Sequence, residues 1–193
     1  MEGLTKMVCS GGNDKWSVVG AMVDILFLKI LQRNWVDWGV IFLGISGFPG
    51  YGILGAHFVR HFADDELSRL DVTDPVLGEV AELSLFDGKQ LEDARKNVAL
   101  ICDLRSIDVE RAKRKWRAVA LEELLSQVGV DPVYDLITLG EFWANWGSAT
   151  DYPCVVQGVG NNLTPEMYYM ERNLDETLKR HREWLRLELE NLS

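Results

Sequence analysis

The chain has 193 residues, 47% of them hydrophobic and 26% charged, with thirty acids against twenty bases for a formal net charge of −10. That composition is ordinary for a folded globular domain and argues against disorder; the negative balance repels nucleic acid and anionic lipid and favours a basic protein partner. Three cysteines, Cys9, Cys102 and Cys154, are an odd number at unpatterned positions, which speaks against a disulfide framework or a zinc cluster and reads as reduced thiols in a cytoplasmic protein.

The chain opens on Met1-Glu2-Gly3-Leu4, without the basic region and apolar core of an export signal. Residues 1–13, ending in Ser10-Gly11-Gly12-Asn13, read as a loose lead-in. Trp16–Arg33 carries Val18, Met22, Ile25, Leu26, Leu28 and Leu31 against Asp24 and Lys29, a helix apolar over most of its circumference and therefore expected at the centre of the fold. Trp38–Ala56 follows, 19 residues without a charge. Its length approaches the roughly 20 residues that cross a bilayer. Six glycines, and Phe48-Pro49-Gly50 near its midpoint, make it instead two buried segments joined by a glycine-rich turn, with no membrane span. Beyond it Leu54, Phe58, His61 and Phe62 trace the stripe of a further helix.

Three helix starts share one device: Asp74-Pro75, Asp131-Pro132 and Thr164-Pro165 each offer a side-chain oxygen as N-cap and proline at the first helical position. The first helix runs from Asp74 to about Asp87-Gly88 with Val76, Val80 and Leu83 on one face. Lys89–Leu104 places Leu91, Ala94, Val98 and Ile101 at helical spacing, and Ser106–Gln127 does the same with Val109, Ala112, Trp116, Val119, Ala120 and Leu124, closed by Gly129. Val133–Trp146 contains Tyr134-Asp135-Leu136-Ile137-Thr138-Leu139, strand-like in content, but its Asp-Pro start favours helix. Gly147–Asn162 reads as an extended loop with a short strand at Cys154–Gln157. Thr164–Leu192 is expected as one long helix whose stripe runs through Met167, Met170, Leu174, Leu178, His181, Leu185, Leu189 and Leu192. The sum is an all-α, single domain over 1–193, about eight helices around a central apolar helical core.

No catalytic motif outweighs its structural explanation. His57 and His61 stand four apart, the spacing of two zinc ligands, with Asp64 or Asp65 one turn on, but His-Phe-Val-Arg-His lacks the glutamate of a metalloprotease signature and His61 falls on the apolar stripe. Gly50-Tyr51-Gly52-Ile53-Leu54-Gly55 formally matches a dinucleotide fingerprint, which would require Val40–Ile45 to be a strand within a βαβ unit. No serine lies in a nucleophile elbow, and no resident cofactor is expected. The run Arg111-Ala112-Lys113-Arg114-Lys115-Trp116-Arg117 has the form of an anion patch, yet reads better as the solvent side of a helix paired with Asp108 and Glu110 while Trp116 packs inward. The acids Asp64, Asp65, Glu66, Asp71, Asp74, Glu79 and Glu82, with Asp87, form either the solvated face of two helices or a surface that docks a basic protein.

Trp35-Val36-Asp37-Trp38-Gly39, then Lys113-Arg114-Lys115-Trp116-Arg117-Ala118-Val119-Ala120-Leu121, then Phe142 through Asp151-Tyr152-Pro153, resemble in order a family of small bacterial proteins of uncharacterised function. Its members look like immunity proteins of polymorphic toxin and contact-dependent growth inhibition systems, which neutralise a toxin encoded beside them. The resemblance implies a non-enzymatic cytoplasmic protein whose partner is a cognate, basic, nuclease-type toxin domain, met by the seven acids above. Two other readings stand beside it: a small helical enzyme or ligand-binding domain with its pocket near Gly47–Gly55, lined by Trp35, Trp38, His57 and His61, and a scaffold that oligomerises through the final helix.

Overall fold

The computed structural model describes residues 15–146, 152–153, 159 and 161–193, with side chains from Met22 onward. Among them are nine helices and no strand: α1 (Lys15–Gln32), α2 (Trp38–Ser46), α3 (Ala56–Leu67), α4 (Leu77–Ser84), α5 (Leu91–Leu104), α6 (Val109–Leu125), α7 (Pro132–Trp146), the single turn α8 (Pro165–Tyr168) and α9 (Glu171–Leu192). The expected lead-in at 1–13 and the strand at Cys154–Gln157 lie outside the described residues.

The middle of the fold belongs to α2. Asp37 caps it by accepting the Val40 N–H at 2.8 Å, and six of its nine residues are buried between α5 and α6. Glycine permits this placement: a Cβ on Gly39 would stand 2.9 Å from the Ala112 Cβ and 3.0 Å from Ile107 Cγ2. Trp116 of α6, fully buried, donates its indole N–H to the Val40 carbonyl at 3.0 Å. The chain then turns through Gly47, Gly50 and Gly52, all at positive φ. Phe48 of this turn packs on Trp116 and Trp146, with centroids at 5.2 and 4.7 Å. Residues 40–45 are therefore helical, so the βαβ unit behind a dinucleotide fingerprint is missing and the glycines serve a turn.

The first helix is not central. It packs on α6 through Val23, Leu26, Phe27 and Ile30, and Lys29 and Arg33 pair with Glu122 and Glu123 there. Its other side, Ile25, Leu28 and Leu31, is exposed. A nearly uniform apolar circumference marks a helix as buried only if a neighbour reaches every side, and α2 has taken the place that close approach requires.

The α3–α4 hairpin adds Val59, Ala63, Val80 and Leu83 to the core. Asp74 accepts the Val76 N–H at 3.1 Å and builds a turn before the helix, which starts only at Leu77 rather than beside Pro75. Val133–Trp146 is helical, as its start suggested, because Asp131 accepts the N–H groups of Val133 and Tyr134. The final helix, by contrast, is broken. Thr164 caps only the turn α8, Met170 adopts extended backbone, and Asn173 holds the break by donating to the Tyr168 carbonyl at 2.6 Å. Met167 and Met170 are exposed, so the buried stripe begins at Leu174. The packing order runs α3–α4–α5–α2–α6, with α1 and α9 on α6 and α7 on α9. No described helix is long and apolar enough to cross a membrane.

Candidate functional site

The acids divide into those with work inside the fold and those without. Asp74 caps Val76 and pairs with Arg105 at 2.6 Å, contacts that hold its carboxyl below the usual range. Glu66 pairs with Arg69 at 2.8 Å, Asp71 accepts from Thr73, Glu82 accepts from Asn97 at 2.7 Å, and Asp87 pairs with Lys89 at 2.7 Å. Asp64, Asp65 and Glu79 have no ion-pair partner among the described residues, and the first two are exposed. Between α4 and α5 lies a groove of about 560 Å³, with Glu82, Asp87, Asp93 and the Asp87-paired Lys89 around its rim and the buried Leu83, Phe86 and Ala94 at its floor. Leu85, 82% exposed, stands at the edge.

Most of the basic run on α6 is spent internally, though not on its sequence neighbours. Lys115 is buried, donates to the Trp35 carbonyl at 2.9 Å and pairs with Asp37. Arg114 grips Glu188 of α9 through Nε at 2.9 Å and Nη2 at 2.7 Å. Arg117 donates to the same carboxylate at 3.2 Å while its guanidinium lies 5.1 Å from the Trp184 ring centroid. Burial pushes the Glu188 carboxyl up, but the two arginines outweigh it and hold the group below the ordinary glutamate value. Arg111 caps α9 by donating to the Leu192 carbonyl. Only Asp108, whose side chain takes the Arg111 backbone N–H, plays a local part, as N-cap of α6. The expected pairing with Asp108 and Glu110 thus gives way to Glu188 and Asp37, which sequence distance concealed.

His57 and His61 are both exposed. Helix α3 buries Val59 and Ala63 and turns Phe58 and Phe62 onto Phe27 and Trp38, which leaves His61 about a third of a turn off the packed face rather than on it. Among the described residues no group of three or more His, Cys, Asp or Glu is placed to hold a metal ion. The four residues proposed around one pocket are dispersed: Trp38 is buried against Phe62, the histidines face solvent, and Trp35 lines a cavity of about 550 Å³ with Arg33, Arg111 and Lys115, cations already committed to Glu122, the Leu192 carbonyl and Asp37. Beside the glycine turn itself lies a smaller cavity, about 300 Å³, formed by Met22, Gly50, Tyr51, Ala120 and Leu124.

One surface escaped the reading by motif. On α7, Val133, Tyr134 and Ile137 are exposed at 42, 71 and 43%, and Val130 before the helix at 91%, opposite a packed face of Leu136, Leu139, Phe142, Trp143 and Trp146. Their i, i+3, i+4, i+7 spacing was legible, but weighing strand against helix hid it.

The chain belongs to a family described as uncharacterized proteins conserved in bacteria (DUF2247), whose model matches residues 28–189. That match includes most of α9, beyond the reach of the motifs at 35–153. No curated protein and no solved structure matches the chain.

Proposed function

We propose that this member of a bacterial family acts by binding: it is a non-enzymatic immunity protein that occupies a cognate basic toxin domain through the acidic face running from α3 to α5. The observation that carries the reading is the groove between α4 and α5, apolar in its floor and acidic at its rim, on the same helical hairpin as the uncommitted Asp64, Asp65 and Glu79. An apolar anchor on the partner fills the groove and supplies affinity, while the carboxylates steer a positively charged surface toward it and raise the association rate. Arg114, Arg117 and Lys115 of α6 are turned onto Glu188 and Asp37, and Lys89, the cation at the groove itself, pairs with Asp87. The motif resemblance supplies the biological setting, a toxin whose cleft for phosphates is positively charged and open to an acidic inhibitor.

The test is co-expression with the product of the adjacent reading frame. A Asp64→Lys, Asp65→Lys, Glu79→Lys triple variant should keep its fold and associate with that product about tenfold more slowly at low salt, the difference shrinking as salt rises. Co-purification failing altogether, or a triple variant that associates as fast as the parent, removes the proposal.

A further inference from the structure

We infer that the exposed face of α7 is a second docking surface, shaped for a helix of another protein whose leucine or aromatic anchors are ringed by lysine and arginine. This goes beyond the α3–α5 reading and does not depend on it; α7 packs on α9, at the other end of the packing order from α3.

The stripe Val130, Val133, Tyr134 and Ile137 has the spacing by which one helix meets another. All four are exposed, Val130 and Tyr134 most of all. Val130 stands just before the N-cap Asp131, where an apolar residue ordinarily packs on the fourth helical residue. That residue here is Asp135, whose carboxylate accepts the N–H groups of Gly129, Val130 and Asp131 at 2.7, 2.8 and 3.0 Å, so Val130 is left in water. A separate observation comes from Gly140. It continues the line Val130, Val133, Ile137, Gly140 at the alternating three- and four-residue steps of a helix–helix seam. A Cβ at Gly140 would meet nothing within 4 Å, so no neighbour among the described residues requires glycine there, and a mid-helix glycine weakens the helix it sits in. A crossing helix, however, approaches closest where the side chain is absent.

Charge selects the occupant. Residues 131–141, the capping aspartate and most of α7, contain Asp131, Asp135 and Glu141 and no Lys, Arg or His, a local charge of −3. Glu141 lies one turn past Ile137 on the same face, and Asp131 borders its start. A partner with a lysine and arginine rim complements them, whereas a second copy of the chain would set these carboxylates against their own kind.

The experiment uses the full chain and a labelled synthetic helical peptide with leucine at i, i+3, i+4 and i+7 and lysine around them, compared by fluorescence anisotropy with a scrambled peptide of the same composition. The patterned peptide should bind and the scrambled one should not. Val133→Asp and Tyr134→Asp, both at exposed positions, should each weaken binding about tenfold. Gly140→Leu should weaken it as well while raising the melting temperature, a combination that damage to the fold does not produce. Leu85→Asp, in the α4–α5 groove, should leave peptide affinity unchanged. The inference is overturned if neither peptide binds, if the α7 variants bind as tightly as the parent, if Leu85→Asp abolishes binding while the α7 variants do not, or if light scattering shows a dimer that Val133→Asp dissociates. In every one of those outcomes the acidic-face proposal remains open to its own test.

Discussion

Replacing Glu188 with alanine should cost the protein about 3 kcal/mol. Its side chain is 7% exposed and accepts three N–H groups, two from Arg114 and one from Arg117. Without it Arg114, 40% exposed, still has access to water, but Arg117, 11% exposed, remains between Trp143 and Trp184 with an Nε that already lacks a partner. Removing one member of a buried pair costs about 3–5 kcal/mol, and the partial exposure of Arg114 places this case at the lower end. For a chain of this size each kcal/mol is worth about 2–4 °C, so the melting temperature should fall by about 6–12 °C. Because the carboxyl is held below its ordinary value, the stabilisation is complete above the unfolded-state pKa of glutamate and lost as pH falls through the lower folded value. The gap between parent and Glu188→Ala should accordingly narrow in acid. Adding Arg117→Met to Glu188→Leu should recover much of the loss, since an apolar pair of similar bulk replaces a stranded charge. Thermal melts from neutral to acid pH check all of this; a fall of less than about 2 °C at neutral pH, or a double variant no better than Glu188→Ala, would refute the reasoning.

Three further outcomes follow from the geometry. His181 is fully buried, accepts the Trp143 indole N–H at 2.9 Å and donates from Nδ1 to the Thr177 carbonyl at 2.7 Å, so its ring is neutral; burial, aided by Arg180 and opposed by the carbonyl, lowers its pKa. Stability from this relay should be whole above about pH 6.5 and fall below it by no more than about 1.4 kcal/mol per pH unit, read as urea midpoints that are flatter with pH in His181→Leu; equal slopes would exclude it. Gly39→Ala should destabilise by about 1–3 kcal/mol in chemical denaturation despite alanine's better helix propensity, because its Cβ would stand 2.9 Å from that of Ala112; a gain in stability would contradict the packing of α2 on α6. Burial first, then Asp37 and Asp103, pushes the Cys102 thiol up to about 11. Mapped by mass spectrometry, Cys102 should escape iodoacetamide at pH 8 in the folded chain and react in urea, and labelling of the native protein at that site would be the contrary result.

Most of the secondary structure was written in local chemistry. The 3.6-residue recurrence along 89–104 and 106–127, the aspartates at 37, 108 and 131, and the glycine-rich turn each act within a few residues, so the spacing that a reader sees is the spacing the backbone feels. The acids were visible for the same reason. Which of them are already engaged was not, because Asp74 finds Arg105 thirty-one residues away and Glu188 finds Arg114 seventy-four away. Tertiary structure alone decided that α1 lies at the surface, that Arg114, Lys115 and Arg117 of α6 turn inward, and that Leu83, Phe86 and Ala94 lie at the bottom of a groove. The physical reason is common to all three. Hydrogen bonds along a helix are settled by near neighbours, whereas burial and ion pairing depend on which distant surface arrives; in the middle of the fold that surface is α2, which Gly39 and Gly44 let lie close against Ala112 and Trp116 of α6.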